Sequence, residues 1–128
     1  MFGSGEAFSG YTVNDIEAAR VFYESTLGVE VSQDWMGLQL KFPGRNPVFI
    51  YEKENHQPAT YTVLNFPVED IDTAIDELSA HGVVFERYED LPAPQDEKGV
   101  LRGKANAQGP DIAWFKDPAG NILSVLSN

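Results

Sequence analysis

Apolar and polar residues alternate along this chain in short runs, and in only two places do apolar residues recur at helical spacing instead. Residues 7–13 read as a first strand, weakened by Gly10. Asn14, with Glu17 three positions on, gives a capping-box pattern. Ile16, Ala19, Tyr23 and Leu27 then share one face of a helix that Gly28 ends. Strands follow at 29–33, 38–42 and 48–52, with turn residues at Gly37 and at Pro43 and Gly44. Residues 55–60 are polar with a proline and read as a link. A strand at 61–68 precedes the second helix, which opens on Glu69, Asp70 and Asp72, where the helix dipole favours acids. Its buried stripe is Ile71, Ala74, Ile75 and Leu78, and Gly82 stops it. Strands at 83–88, 112–116 and 122–126 complete the reading.

The pattern is one module written twice. Val13-x-Asp15-Ile16-acid-x-Ala19 returns as Val68-x-Asp70-Ile71-acid-x-Ala74, an offset of 55, and both helices end in Gly-Val. Lys-x-Pro-x-x-Asn begins at Lys41 and again at Lys116, an offset of 75. The second copy has therefore gained about twenty residues, which the spacing puts at 89–110, between its second and third strands. Long loops in small domains tend to serve as lids or binding loops. The expected fold is α+β. It has two tandem βαβββ modules, at about 6–54 and 61–128, in a single domain whose strands form a cupped, partly open mixed sheet around a cleft.

Composition narrows the function without naming it. The chain of 128 residues is long enough for one real core, and 42% hydrophobic with 12% aromatic residues is ordinary for a globular protein. A formal charge of -11 repels phosphate backbones, which argues against nucleic acid as a partner. No apolar run reaches membrane-spanning length, and the first ten residues do not read as a signal peptide. With no cysteine there is no disulfide, thiol catalysis or thiolate-bound metal, which is compatible with a cytoplasmic protein.

The phrase Asp15-Ile16-Glu17-x-Ala19-x-x-Phe22-Tyr23-x-x-x-Leu27-Gly28-Val29 and the ending Asp117-Pro118-Ala119-Gly120-Asn121-Ile122-Leu123 resemble the vicinal oxygen chelate superfamily. That group includes glyoxalases, bleomycin-resistance proteins, extradiol dioxygenases and fosfomycin-resistance enzymes. The resemblance covers nearly the whole chain, is specific for the fold and is weak for the reaction. It implies a homodimer and, in relatives that do metal chemistry, His, Gln or Glu ligands on four strands. At the corresponding places this chain has Phe8, Phe49, Val63 and Ser124. Phe and Val offer no lone pair to a divalent cation. The expectation is thus a protein without metal or other cofactor, binding a small organic molecule in an aromatic-lined cleft, as bleomycin-resistance proteins do. The alternative is a lyase, isomerase or dioxygenase of the same superfamily with atypical metal ligands, such as Tyr51, Glu52 and His56.

Taking the phase of the strands from those four places, alternation adds Gly10, Thr12, Gln39, Tyr51, Asn65 and Trp114 to the cavity side. The candidate ligand contacts are therefore Phe8, Thr12, Gln39, Phe49, Tyr51, Val63, Asn65, Trp114 and Ser124, an aromatic set with a few hydrogen-bonding tips. Arg102 joins them as a clamp for a carboxylate or phosphate, because the inserted stretch holds Lys98, Arg102 and Lys104 in an otherwise acidic chain. His56 reads as an exposed residue of the link, and His81 as a cap at the end of the second helix. No catalytic residue is identified. Neither a Ser-His-Asp arrangement nor a nucleotide-binding glycine motif is present.

Overall fold

Asp15 and Asp70 start the two helices, and the same order of elements forms around each. Asp15 accepts the backbone N–H groups of Glu17 and Ala18, and Asp70 those of Asp72 and Thr73. Each thereby satisfies two donors that helix geometry leaves orphaned. The first cap is therefore Asp15 rather than Asn14: a carboxylate one position on reaches both amides, and the two modules use the same residue type. The computed structural model describes residues 1–128, which divide into two compact units, Met1–Pro58 and Ala59–Asn128.

In the first unit, β1 (Gly10–Val13), α1 (Ile16–Val21), β2 (Glu30–Gln33), β3 (Leu38–Lys41) and β4 (Val48–Glu52) follow in sequence. The sheet order is β1-β4-β3-β2, with β1 parallel to β4 and the other pairs antiparallel. Helix α1 widens into a π turn over Phe22–Thr26. That turn holds Tyr23 with no exposed surface, its hydroxyl 2.7 Å from that of Tyr11. Val13, Ala19, Leu38, Leu40 and Ile50 complete a core on the helix side of the sheet. The first strand is shorter than expected, beginning at Gly10 instead of residue 7, although Phe49 N–H still donates to the Ser9 carbonyl. Gly10 is required there, because a Cβ would stand 2.7 Å from the Phe49 carbonyl oxygen.

The second unit contains β5 (Thr62–Pro67), α2 (Ile71–Ala80), β6 (Leu101–Arg102), β7 (Asp111–Lys116) and β8 (Ile122–Ser127), with sheet order β5-β8-β7-β6. Ile71, Ile75, Ala113, Phe115, Leu123 and Val125 form its core. The strand expected at 83–88 does not form. One backbone hydrogen bond, from Glu86 N–H to the Trp114 carbonyl, lays that stretch beside β7, and the paired edge strand is the dipeptide Leu101–Arg102. The Gln95 side chain takes up the ladder's unmet groups: its carbonyl accepts Tyr88 N–H at 2.8 Å, and its amide donates to the carbonyls of Glu86 and Gly99. Buried backbone must be paired with something, and here a side-chain amide replaces a strand. The added residues therefore lie within the edge position itself, between 88 and 101, as well as in the approach to β7.

Candidate functional site

Strand alternation sends half of each sheet's side chains away from its helix, and those are the residues the sequence singles out. In the first unit Phe49 and Tyr51 stack on that face, centroids 5.4 Å apart with planes 18° from parallel. Beside them Thr12 Oγ1 lies 2.6 Å from His56 Nδ1, and Ser32 donates to Gln39 Oε1 at 3.4 Å. His56 is half-buried, not an exposed link residue, because the chain turns back after β4 and its N–H donates to the Lys53 carbonyl. Phe8 lies just outside β1 and is 67% exposed. With Met36, Gln39, Pro47 and Phe49 it borders a hollow of about 480 Å³ whose one ionisable group is Glu6. A broader, more open hollow of about 800 Å³ adjoins it, floored by residues 5–9 and 44–46.

In the second unit, the corresponding face carries Trp114, Asn65 and Ser124. Ser124 has no exposed surface and donates to Asn65 Oδ1 at 2.5 Å. Trp114 donates its indole N–H to Thr62 Oγ1 at 3.1 Å, and Tyr88 meets it edge-on, centroids 5.7 Å apart. Val63 is half-buried at a register irregularity: β8 pairs Ile122 with Thr62 and Leu123 with Leu64, passing over Val63. Thr62, which plain alternation assigns to the helix side, is in consequence the residue that reaches Trp114. Neither Thr62 nor Tyr88 was singled out by sequence; a bulge and a segment outside the sheet ladder leave no periodic signal.

Arg102 is not brought to this face. It pairs with Asp111 on the α2 side, where its guanidinium meets Asp72 at 2.8 Å, Asp96 at 2.9 Å and Asp111 at 3.7 Å. Lys98 joins the same cluster through Asp72 and Asp76. The hydrogen bond from Arg102 outweighs the opposing effect of burial and brings the Asp72 carboxyl down to about 2. Burial pushes Asp96 up, yet its hydrogen bonds from Val100 N–H, Arg102 and Lys98 N–H hold it below the usual carboxylate range. These cations pin the inserted stretch to α2, and their charge is already answered by protein carboxylates. Lys104 donates instead to the Asn128 carbonyl, at 3.4 Å.

The conspicuous turn after β7 is also structural. Asp117 accepts the N–H groups of Ala119 and Asn121 and the Asn121 side-chain amide, and Asp117 and Asn121 are both buried. His81 donates from Nδ1 to the Glu77 carbonyl at the end of α2. Glu52 accepts Ile16 N–H at the start of α1. No group of three or more His, Cys, Asp or Glu side chains is placed to hold a metal ion. The four family ligand positions do not fit one either: Phe8, Phe49 and Val63 have no donor atom, and the Ser124 hydroxyl is engaged with Asn65. No helix is long and apolar enough to cross a membrane.

Comparison with known proteins agrees with this architecture. The family model described as glyoxalase/bleomycin resistance protein/dioxygenase superfamily matches residues 8–125. A superfamily member from Sphaerobacter thermophilus is 24% identical with a TM-score of 0.71, each chain covered over 100% of its length. TnmS3, an antibiotic binding protein from a Streptomyces species, is 21% identical with a TM-score of 0.66, over 97% of this chain and 95% of that one. The fosfomycin resistance protein FosX from Listeria monocytogenes is 16% identical with a TM-score of 0.68, over 98% and 93%. At such identities the likeness is one of fold. No functionally curated protein matches the chain.

Proposed function

The chain belongs to the glyoxalase/bleomycin resistance protein/dioxygenase superfamily, and on that premise we propose that it binds a small organic molecule on its aromatic faces, without a metal. The observation that carries the reading is the stacked Phe49–Tyr51 pair beside a hollow of about 480 Å³ lined by Phe8, Met36 and Pro47. Such a surface offers apolar contact area with a few oriented polar tips, Gln39 and Thr12 in the first unit and the exposed Asn65, which Ser124 holds from behind, in the second. Stacking on Phe49, Tyr51 and Trp114 supplies the affinity, and the amide and hydroxyl groups supply orientation. A superfamily relative of the same fold is an antibiotic binding protein, which is in keeping with sequestration of such a compound. The proposal takes the protein as a cytoplasmic homodimer. Light scattering on the purified chain checks the dimer.

The test is a thermal-shift screen of aromatic small molecules, run beside calorimetric titration with nickel, zinc, manganese and ferrous iron. A ligand at a hundred times its Kd raises stability by about 2.7 kcal/mol. Phe49→Ala and Trp114→Ala should each reduce that rise. One cation bound per chain would overturn the metal-free reading, and no stabilising compound in a broad aromatic set would overturn binding itself.

A further inference from the structure

The inserted stretch leaves one chemical loose end. Among buried side-chain nitrogen and oxygen atoms, the Tyr88 hydroxyl alone has no hydrogen-bond partner. A buried donor without an acceptor costs more than an ordinary hydrogen bond returns, so such a group in a folded protein calls for a cause. Its placement is not accidental. Gln95 holds the backbone N–H of Tyr88 at 2.8 Å, and the Tyr88 ring sits edge-on to Trp114 with planes at 76°. The side chain is thus fixed from two sides, against the aromatic residue on which the proposed binding rests in this unit. A hollow of about 620 Å³ borders Tyr88, walled by Leu91, Pro92, Ala93 and Pro94 and also lined by Gln95 and by one base and one acid, Arg87 and Glu89. Burial, with the charges of Glu86 and Asp90, pushes the phenol's pKa upward, so it stays a neutral donor in ordinary buffers.

We infer that Tyr88 is a specificity-determining residue whose hydroxyl donates a hydrogen bond to the bound molecule. The ligand class is a flat, uncharged aromatic compound carrying a carbonyl or comparable acceptor. This rests on the small-molecule reading above and narrows it. The apolar wall takes the ring system, and the acceptor relieves the unmatched phenol. Because the hydroxyl is closed to solvent, the groups that cover it must move aside as the ligand enters, and residues 91–94 line the adjoining hollow. The hydrogen bonds that anchor the insert begin just beyond them, at Gln95 and Asp96.

The experiment pairs two fluorescent probes of similar flatness: Nile red, which has a ring carbonyl, and pyrene, which has no acceptor. Both are titrated into the full chain and into Tyr88→Phe, and both proteins are melted without probe. Tyr88→Phe should weaken Nile red about tenfold, the equivalent of one hydrogen bond. It should leave pyrene unchanged and should melt no lower than the parent. That combination separates recognition from a structural role, which would lower the melting temperature and leave the probe ratio alone. Equal weakening of both probes, no change in either, or a lower melting temperature overturns the inference while the small-molecule reading stands. Failure of the parent chain to bind either probe overturns this inference, and the small-molecule reading falls with it only if the broad aromatic screen also finds no stabilising compound.

Discussion

After β7 the turn is closed by Asp117, whose carboxylate binds two backbone amides and the Asn121 side chain in a buried knot. After β3 the same position in the repeat is Phe42, and no such knot forms. Asn46, the counterpart of Asn121, instead reaches out to the Ala7 carbonyl at 2.8 Å. It thereby ties down the arm that carries Glu6 and Phe8 to the hollow. One spelling serves two purposes: the second copy spends its polar groups on its own turn, and the first directs them to the rim of a site. The edge strands diverge in the same way. β2 pairs with β3 over four residues, whereas its counterpart is split into a stretch held by Gln95 and the short β6. Duplicated modules therefore keep the framework of caps and core while the connections become individual.

The contrast is sharpest where the knot is cut. Asp117→Ala leaves buried N–H groups without acceptors and should cost about 3 kcal/mol, read by urea unfolding. Gln95→Ala removes three hydrogen bonds at once and should cost about 2 kcal/mol. Its signature is faster amide exchange at Tyr88, with β2 and β3 unaffected. If exchange rises equally in both units, the edge is not held locally. Acid offers a gentler probe. Asp72 has its folded pKa depressed to about 2 from an ordinary 3.8. Its pairing with Arg102 therefore contributes fully above about pH 4 and is lost as pH falls towards 2. Asp72 is 46% exposed, so solvent screening keeps the contribution below about 1 kcal/mol. Asp72→Asn should flatten that part of the stability–pH curve, and an unchanged curve would assign the acid sensitivity elsewhere. The smallest effect is expected from Asn46→Ala, at most about 0.5 kcal/mol of stability because the residue is exposed. It should nevertheless loosen the arm bearing Phe8 and weaken any ligand held in the first unit.

The candidate site was legible in proportion to its periodicity. Phe49, Tyr51, Gln39 and Thr12 lie on one face because regular strands leave no other choice for alternate residues. The same holds for Trp114 and Ser124 on β7 and β8. Arg102 was misassigned because composition shows a cation in an acidic chain but not which carboxylates surround it. Thr62 and Tyr88 were missed, and His56 was read as an exposed link residue, for a related reason. A bulge, an unladdered segment and a returning link bring them in through contacts between residues far apart in sequence.

By itself the sequence determined the two βαβββ modules, their helix faces and the duplication. These follow from hydrophobic spacing, caps and turns, each set by residues a few positions apart. The tertiary structure decided which acid caps the first helix, how the second edge strand is assembled, and where the charges of the insert are answered. Those outcomes depend on which distant group satisfies a buried donor or an ion, and local pattern does not encode that choice.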